Sequence, residues 1–255
     1  MVWDPDPPAD PLAIYDQSYY NGDFPKGGYT NYIQGMQVNQ WTFRRRLLAA
    51  ERKLGGQKGS LLDVGCALGD CLLQARELGW AHPQGLEVSP YAVETGRQRG
   101  LEIHLGDLLQ NDLTPGSFDL ILLQDVIEHT ADPCAMLEAA RRYLRPGGFL
   151  LLTTPNVGGW LARCLGGAWY HYKQGEHLTY FSRATICRAL KNCGFLEIDS
   201  GMTTNTMSVE YLFDRMMTYQ SPLFSALSRV VRRVGLGVAA INLPIGELQA
   251  WARHP

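Results

Sequence analysis

No stretch of this chain is apolar for long enough to span a bilayer, no two cysteines form a Cys-x-x-Cys pair, and neither sign of charge prevails. The first absence excludes a transmembrane helix. The second removes the usual spacing of zinc and dithiol sites. Several of the six cysteines (Cys66, Cys71, Cys134, Cys164, Cys187, Cys193) lie inside apolar runs, where a free thiol acts as a small hydrophobe, so a reducing compartment and no metal site are expected. The third absence, 23 Lys and Arg against 25 Asp and Glu, leaves no global field for nucleic acid or an anionic membrane. A polyanionic partner would need a local patch. Met1 to Pro11 is rich in Asp and Pro and lacks the basic start and apolar centre of a secretory signal, so a cytoplasmic location is expected. Internal repeats and low-complexity tracts are also lacking.

What is present is apolar material, 45% of 255 residues, enough for one large α/β domain with modest additions. Residues 1–55 read as a loose tail, a Tyr-rich segment (Tyr15, Tyr19, Tyr20, Tyr29, Tyr32) and a helix from Val38 to Leu54 closed by Gly55-Gly56, together covering the site. Residues 56–255 read as the catalytic domain. Strands are expected at Leu61–Val64, Gln84–Val88, Leu101–Leu105, Phe118–Leu123 and Phe149–Thr153, with helices at Cys71–Leu78, Tyr91–Arg99 and Pro133–Leu144 between them. Ser89-Pro90 supplies an N-cap and a first-turn proline for the second of these helices. Such alternation, with several strands apolar on both faces, predicts a doubly wound α/β fold: a mostly parallel sheet, helices on both faces, and a site at the carboxyl ends of the strands. Residues 157–182 read as a lid-like aromatic segment, Arg183–Asn192 as a helix and Phe195–Ile198 as a sixth strand. Residues 205–245 read as a helical insertion with helices near Met207–Tyr219 and Leu223–Val234, before a last strand around Glu247–Ala252.

The first strand runs into Asp63-Val64-Gly65-Cys66-Ala67-Leu68-Gly69-Asp70. Small residues at 65, 67 and 69 let main chain approach a ligand before a helix begins. Taken alone this is a weak signal. A dinucleotide turn would want glycine at 65, 67 and 70, where Gly, Ala and Asp stand, and Asp70 at a helix start opposes a pyrophosphate. A cationic sulfonium ligand suits the turn better. Glu87 at the end of the second strand can accept hydrogen bonds from both hydroxyls of a ribose, Asp107 beyond the third can accept from an adenine amino group, and Gln124-Asp125 end the fourth. Each carboxylate could equally be a helix cap or a solvated loop residue; polar groups at four consecutive strand ends are harder to explain that way.

Leu61 to Leu73 resembles the S-adenosylmethionine loop of class I methyltransferases, and Gly85-Leu86-Glu87-Val88-Ser89 resembles their ribose-binding segment. Phe118 to Pro133, containing Asp125-Val126-Ile127-Glu128-His129, is similar to the fourth-strand segment of the branch that includes ubiquinone-biosynthesis O-methyltransferases, as is Leu144-Arg145-Pro146-Gly147-Gly148-Phe149-Leu150 to its turn into the fifth strand. The likeness is firm over residues 60–156 and looser from His177 to Phe195. It implies S-adenosylmethionine as cofactor and a seven-stranded sheet whose last strand, near Trp251, is antiparallel. It also implies a donor site of Asp63, Gly65, Cys66, Ala67, Gly69, Glu87, Val88, Asp107, Leu108, Gln124 and Asp125. In that set Glu87 would bind ribose, Asp107, Leu108 and Val88 the adenine, and Gly65 with Gln124 the amino-acid end. Ala67 stands where glycine is commoner in the family, a fit that requires it to keep a negative φ.

Methyl transfer from a sulfonium needs in-line positioning, exclusion of water and, for an oxygen acceptor, loss of a proton. His129 and His177 are the candidate bases; the other reading of each is a histidine that orients its loop. The N-terminal tyrosines could cover the sulfonium or pack on the sheet. The stripe Leu223, Phe224, Leu227, Val230, Val231, Val234 beside Arg229, Arg232 and Arg233 could rest on a membrane surface or on its own domain. The expected activity is methyl transfer, preferably to oxygen, on a small-molecule or lipid-linked acceptor. Nucleic acid is not an expected partner, because Gln124-Asp125-Val126-Ile127 lacks the Asn/Asp-Pro-Pro-aromatic run of amino-directed nucleic-acid enzymes and no basic domain is appended. The alternative is a non-catalytic protein that binds S-adenosylmethionine as another enzyme's partner.

Overall fold

The computed structural model describes residues 2–3, 32–173, 175–209, 212, 233 and 239–255. Helix α1 (Tyr32–Lys53) precedes the sheet. Then follow β1 (Ser60–Val64), α2 (Asp70–Glu77), β2 (His82–Glu87), α3 (Pro90–Gln98), β3 (Glu102–Leu105), β4 (Phe118–Gln124), α4 (Pro133–Tyr143) and β5 (Leu144–Pro155). Past β5 come the short α5 (Trp160–Leu165), α6 (Arg183–Asn192), β6 (Leu196–Met202), β7 (Asn205–Ser208), β8 (Ala240–Leu243) and β9 (Glu247–Arg253).

Seven strands form one sheet in the order β3-β2-β1-β4-β5-β9-β6, and β9 alone runs antiparallel to its neighbours. This is the doubly wound arrangement expected. The order reverses between β1 and β4, so a crevice opens above their carboxyl ends. The alternation of side chains explains why both faces are covered. Leu62, Val64, Ile121, Leu123, Leu150 and Leu152 point to one core with Leu137 of α4 and Leu190 of α6. Leu61, Leu120, Leu122 and Leu151 point to the other, with Leu47 of α1 and Leu72 of α2.

Helix starts follow local chemistry. Ser89 accepts from Ala92 N ahead of Pro90, Asp132 accepts from Cys134 N and Ala135 N ahead of Pro133, and Ser182 with Thr185 forms a reciprocal cap on α6. β5 starts before the expected strand because the chain leaves α4 directly into extended backbone at Leu144, and it runs on to Pro155.

One expectation needs correction. Met207 and Ser208 do not begin a helix: β7 pairs antiparallel with β8, Met207 opposite Ile241, so the insertion expected to be helical over 205–245 opens and closes as a two-stranded ribbon. The physical reason is tertiary, since Thr206 N donates to Thr42 Oγ1 of α1 (2.8 Å), which fixes β7 against that helix. The N-terminal tyrosines from Tyr15 to Tyr29 and the Leu223–Val234 stripe lie outside the described residues. Among the described residues no helix is long and apolar enough to cross a membrane, and all six cysteines are free thiols.

Candidate active site

The crevice at the switch point holds a cavity of about 950 Å³. Of the residues expected around a donor, Asp63, Gly65, Cys66, Ala67, Glu87, Val88, Asp107, Leu108, Gln124 and Asp125 line it, and so do His129 and His177. Gly69 does not. It caps α2 with φ 84°, and a Cβ there would meet Leu101 Cδ1 at 2.3 Å, so its role is to let α2 close on the β3 side of the sheet.

Main-chain geometry at the β1 end departs from expectation at one residue. Gly65 has φ 67°, and a Cβ on it would meet Val126 Cγ2 at 2.7 Å, so glycine is required both for its conformation and for its neighbour. Ala67 was expected to keep a negative φ; it has φ 49°, a left-handed conformation that strains alanine by about 1 kcal/mol. What holds it is Glu87, whose Oε2 accepts from Ala67 N and whose Oε1 accepts from Ser89 N, both at 2.9 Å. Each carboxylate oxygen thereby keeps a further lone pair. Burial raises the proton affinity of Glu87, against which those N–H groups work.

Asp63, buried, and Asp125, open to the crevice, carry the other carboxylates of this half. Burial, followed by the charge of Glu87, lifts Asp63 to about 7, while the Gln124 amide opposes the rise. Burial and then Glu247 lift Asp125 to about 6, with Arg46 and His171 opposing. Thr153 Oγ1 donates to Asp125 Oδ1 at 3.2 Å. Asp70, expected to oppose a pyrophosphate, has its charge matched by Arg99 at 2.7 Å. The case against a phosphate ligand therefore rests less on Asp70 than the sequence suggested.

Sequence reasoning missed Arg46. Buried in α1, it donates from Nη1 to Gln124 Oε1 (2.9 Å) and from Nη2 to Asn205 Oδ1 (2.9 Å), with Glu247 Oε2 at 3.9 Å. Its Nε is buried without a partner among the described residues. Within Arg44-Arg45-Arg46 nothing local marks one arginine as internal, because its partners come from three distant elements.

The other half of the cavity is aromatic and imidazole-rich, lined by Trp160, Trp169, Tyr170, His171, Lys173 and His177 from the segment after β5. His129 Nδ1 lies 2.8 Å from the Glu176 carbonyl oxygen, and the His129 and His177 rings stand edge to face with centroids 4.7 Å apart. Burial lowers His129 to about 4, His171 to about 4 and His177 to about 2, with Lys173 pushing the same way for each. All three are neutral near pH 7. Lys173 itself is bonded to Glu176 at 3.0 Å.

A sulfonium donor fits these residues. Glu87 retains two lone pairs for a diol, Asp63 and Asp125 offer negative charge, and the unpartnered Arg46 Nε offers an N–H to a carboxylate.

A family model described as a methyltransferase domain matches residues 39–198. Among curated relatives, the ubiquinone biosynthesis O-methyltransferase of Xanthomonas euvesicatoria pv. vesicatoria (strain 85-10) is 32% identical over 178 residues, which is 62% of this chain and 71% of that protein. Among solved structures, a Thermotoga maritima SAM-dependent methyltransferase described as a possible histamine N-methyltransferase aligns at TM-score 0.59 and 16% identity, covering 86% of this chain and 91% of that one. Phosphoethanolamine N-methyltransferase 2 of Haemonchus contortus, in complex with S-adenosyl-L-methionine, aligns at TM-score 0.59 and 18% identity, covering 86% and 56%.

Proposed function

The chain belongs to the methyltransferase-domain family and is an S-adenosylmethionine-dependent methyltransferase, and from that premise we propose that it methylates an oxygen of a small or lipid-linked acceptor. Family membership sets aside the alternative of a non-catalytic binding partner. The observation that carries the reading is one continuous cavity, with buried carboxylates Asp63 and Glu87 at the β1 and β2 ends, Asp125 open to the crevice at the β4 end, and neutral imidazoles of His129 and His177 lining the same cavity.

S-adenosylmethionine, when bound, supplies an electrophilic methyl group on a sulfonium cation. Glu87 accepts from the ribose hydroxyls, Asp107 and Leu108 hold the adenine, and Val88 covers one of its faces. Gly65, Cys66 and Ala67 bring main chain against the ligand. Arg46 takes the carboxylate of the amino-acid end, and Gln124 and Asp125 take its ammonium group. Asp63 and Asp125 add negative charge under the cation. His129 or His177, neutral at working pH, receives the acceptor's hydroxyl proton. The aromatic segment from Trp160 to Tyr172 excludes water above it. The named activity of the Xanthomonas relative supports oxygen as the acceptor atom.

The test is formation of S-adenosylhomocysteine against a panel of phenols, sugars, quinone precursors and amines. Turnover is expected with a hydroxyl acceptor, and His129→Ala or His177→Ala should lose roughly 10²–10⁴-fold in rate with donor affinity nearly unchanged. Methylation confined to amines would overturn the oxygen assignment. Full turnover in both histidine variants would overturn the base.

A further inference from the structure

One guanidinium is tied to both halves of the cavity. Arg46 is 5% exposed, and each of its Nη atoms donates to a side-chain amide that donates in turn to a carboxyl group. Toward the donor half, Nη1 gives to Gln124 Oε1 at 2.9 Å and Gln124 Nε2 gives to Asp63 Oδ1 at 3.4 Å. Toward the other half, Nη2 gives to Asn205 Oδ1 at 2.9 Å and Asn205 Nδ2 gives to Glu247 Oε2 at 2.7 Å. The chain Asp63–Gln124–Arg46–Asn205–Glu247 thus has a cation at its centre and a carboxyl group at each end. Neither amide can be turned round, because that would set its NH₂ group against the guanidinium and its oxygen against a carboxyl group.

Asn205 is the first residue of β7, and the ribbon that it begins walls the acceptor half. Thr206 and Met207 of β7, Leu243 of β8, and Pro244 and Ile245 after it line the cavity. A two-stranded ribbon is marginal by itself, so its order depends on its ties to the body. Besides Asn205, Thr206 N holds it to Thr42 Oγ1 of α1 at 2.8 Å, and the Ile245 carbonyl oxygen lies 3.3 Å from His171 Nε2. Arg46 Nε, meanwhile, is buried with no partner among the described residues.

We propose that Asn205 is a positioning residue that couples the two halves of the site. A carboxylate docked on Arg46 fixes the guanidinium, the guanidinium fixes the Asn205 amide, and the amide holds the ribbon where it completes the acceptor wall. The inference rests on the reading above that Arg46 takes the carboxylate of the donor. Arginine is a long side chain with several rotatable bonds, and a charge-assisted hydrogen bond removes the freedom left to it. The acceptor then meets a wall already ordered and loses less on binding, which is positive coupling without any large movement. By linkage each ligand raises the other's affinity by the same factor.

Hydrogen exchange followed by mass spectrometry, with two probes, tests this. S-adenosylhomocysteine carries the amino-acid end; 5′-methylthioadenosine has the same adenosine and sulfur without it. Both should slow exchange around Glu87 and Asp107, and S-adenosylhomocysteine alone should slow the amides of β7 and β8, by about 3–10-fold. In Asn205→Ala, where Arg46 and Glu247 remain to pair directly, S-adenosylhomocysteine should bind within about 3-fold of the parent while the protection of the ribbon disappears. With a hydroxyl acceptor from the panel and saturating donor, the variant's KM for the acceptor should rise about 5–10-fold and its kcat change by less than about two-fold.

Equal protection of the ribbon by both probes, or protection that survives in Asn205→Ala, would overturn the proposal, and so would a fall in kcat at unchanged KM. If Asn205→Ala fails to fold, the two probes on the parent decide the matter alone. S-adenosylhomocysteine bound more tightly than 5′-methylthioadenosine beside an unprotected ribbon would refute this inference only. Equal affinity for the two probes would mean that Arg46 holds no carboxylate, and would refute the reading on which the inference rests.

Discussion

Glu87 does two things at once, and they are separable by substitution. Its carboxylate holds Ala67 and Ser89 by their N–H groups and keeps lone pairs toward the cavity. Glu87→Ala should weaken S-adenosylmethionine binding by on the order of 1.5–3 kcal/mol, the usual loss for charge-assisted hydrogen bonds; calorimetric affinity within two-fold of the parent, roughly 0.4 kcal/mol, would remove it from the site. Ala67 tests the conformational half. With φ 49° it sits where glycine is at ease, so Ala67→Gly should leave donor affinity intact and stabilise the fold by about 0.5–1 kcal/mol in denaturant titrations. The sequence displayed the carboxylate because its position at a strand end is a local fact. It did not display the sign of φ at Ala67, which is set by Glu87 reaching across from the next strand, nor the role of Arg46, whose partners Gln124, Asn205 and Glu247 come from far along the chain.

Elements whose boundaries are written in neighbouring residues were the readable ones. The Ser89-Pro90 start of α3 and the whole of α6 were found where capping chemistry and periodicity put them. The ribbon of β7 and β8 was not: Met207 and Ser208 pair with a segment some thirty residues later and Thr206 bonds to Thr42, so the helix expected from Met207 begins at Val209 instead. Gly69 was read as a ligand contact because glycines near a nucleotide turn serve either main-chain approach or helix packing, and spacing cannot separate the two. Caps offer a direct check at this scale. Asp132 accepts from two N–H groups at the start of α4, so Asp132→Ala should cost about 1 kcal/mol of stability by denaturant midpoint. No change would mean that Pro133 and the buried face of α4 suffice.

Over the whole molecule the sheet was legible because five apolar strands alternate with helices, a pattern with few other solutions. The chemistry of the cavity was legible only at its rim; its electrostatics arise from burial. Asp63, lifted to about 7, and Asp125, lifted to about 6, are protonated in mild acid and charged above it. Both bind protons more tightly folded than unfolded, so their contribution to stability is full below about pH 4 and is lost as the pH rises through those values. A cationic ligand reverses the sense, gaining partners as they ionise. Affinity for S-adenosylmethionine should therefore rise roughly ten-fold between about pH 5.5 and about pH 7.5, and that for S-adenosylhomocysteine, which lacks the sulfonium charge, should rise less. Parallel profiles for the two ligands would mean that these carboxylates do not face the sulfur. The central claim, a methyl-donor site between β1 and β4 anchored by Glu87, is tested most directly by one calorimetric comparison of the parent and Glu87→Ala, each titrated with S-adenosylmethionine and with NAD. One-site binding of the sulfonium ligand by the parent, its marked loss in the variant and no heat from NAD are predicted; binding of NAD, or sulfonium binding indifferent to Glu87, would contradict it.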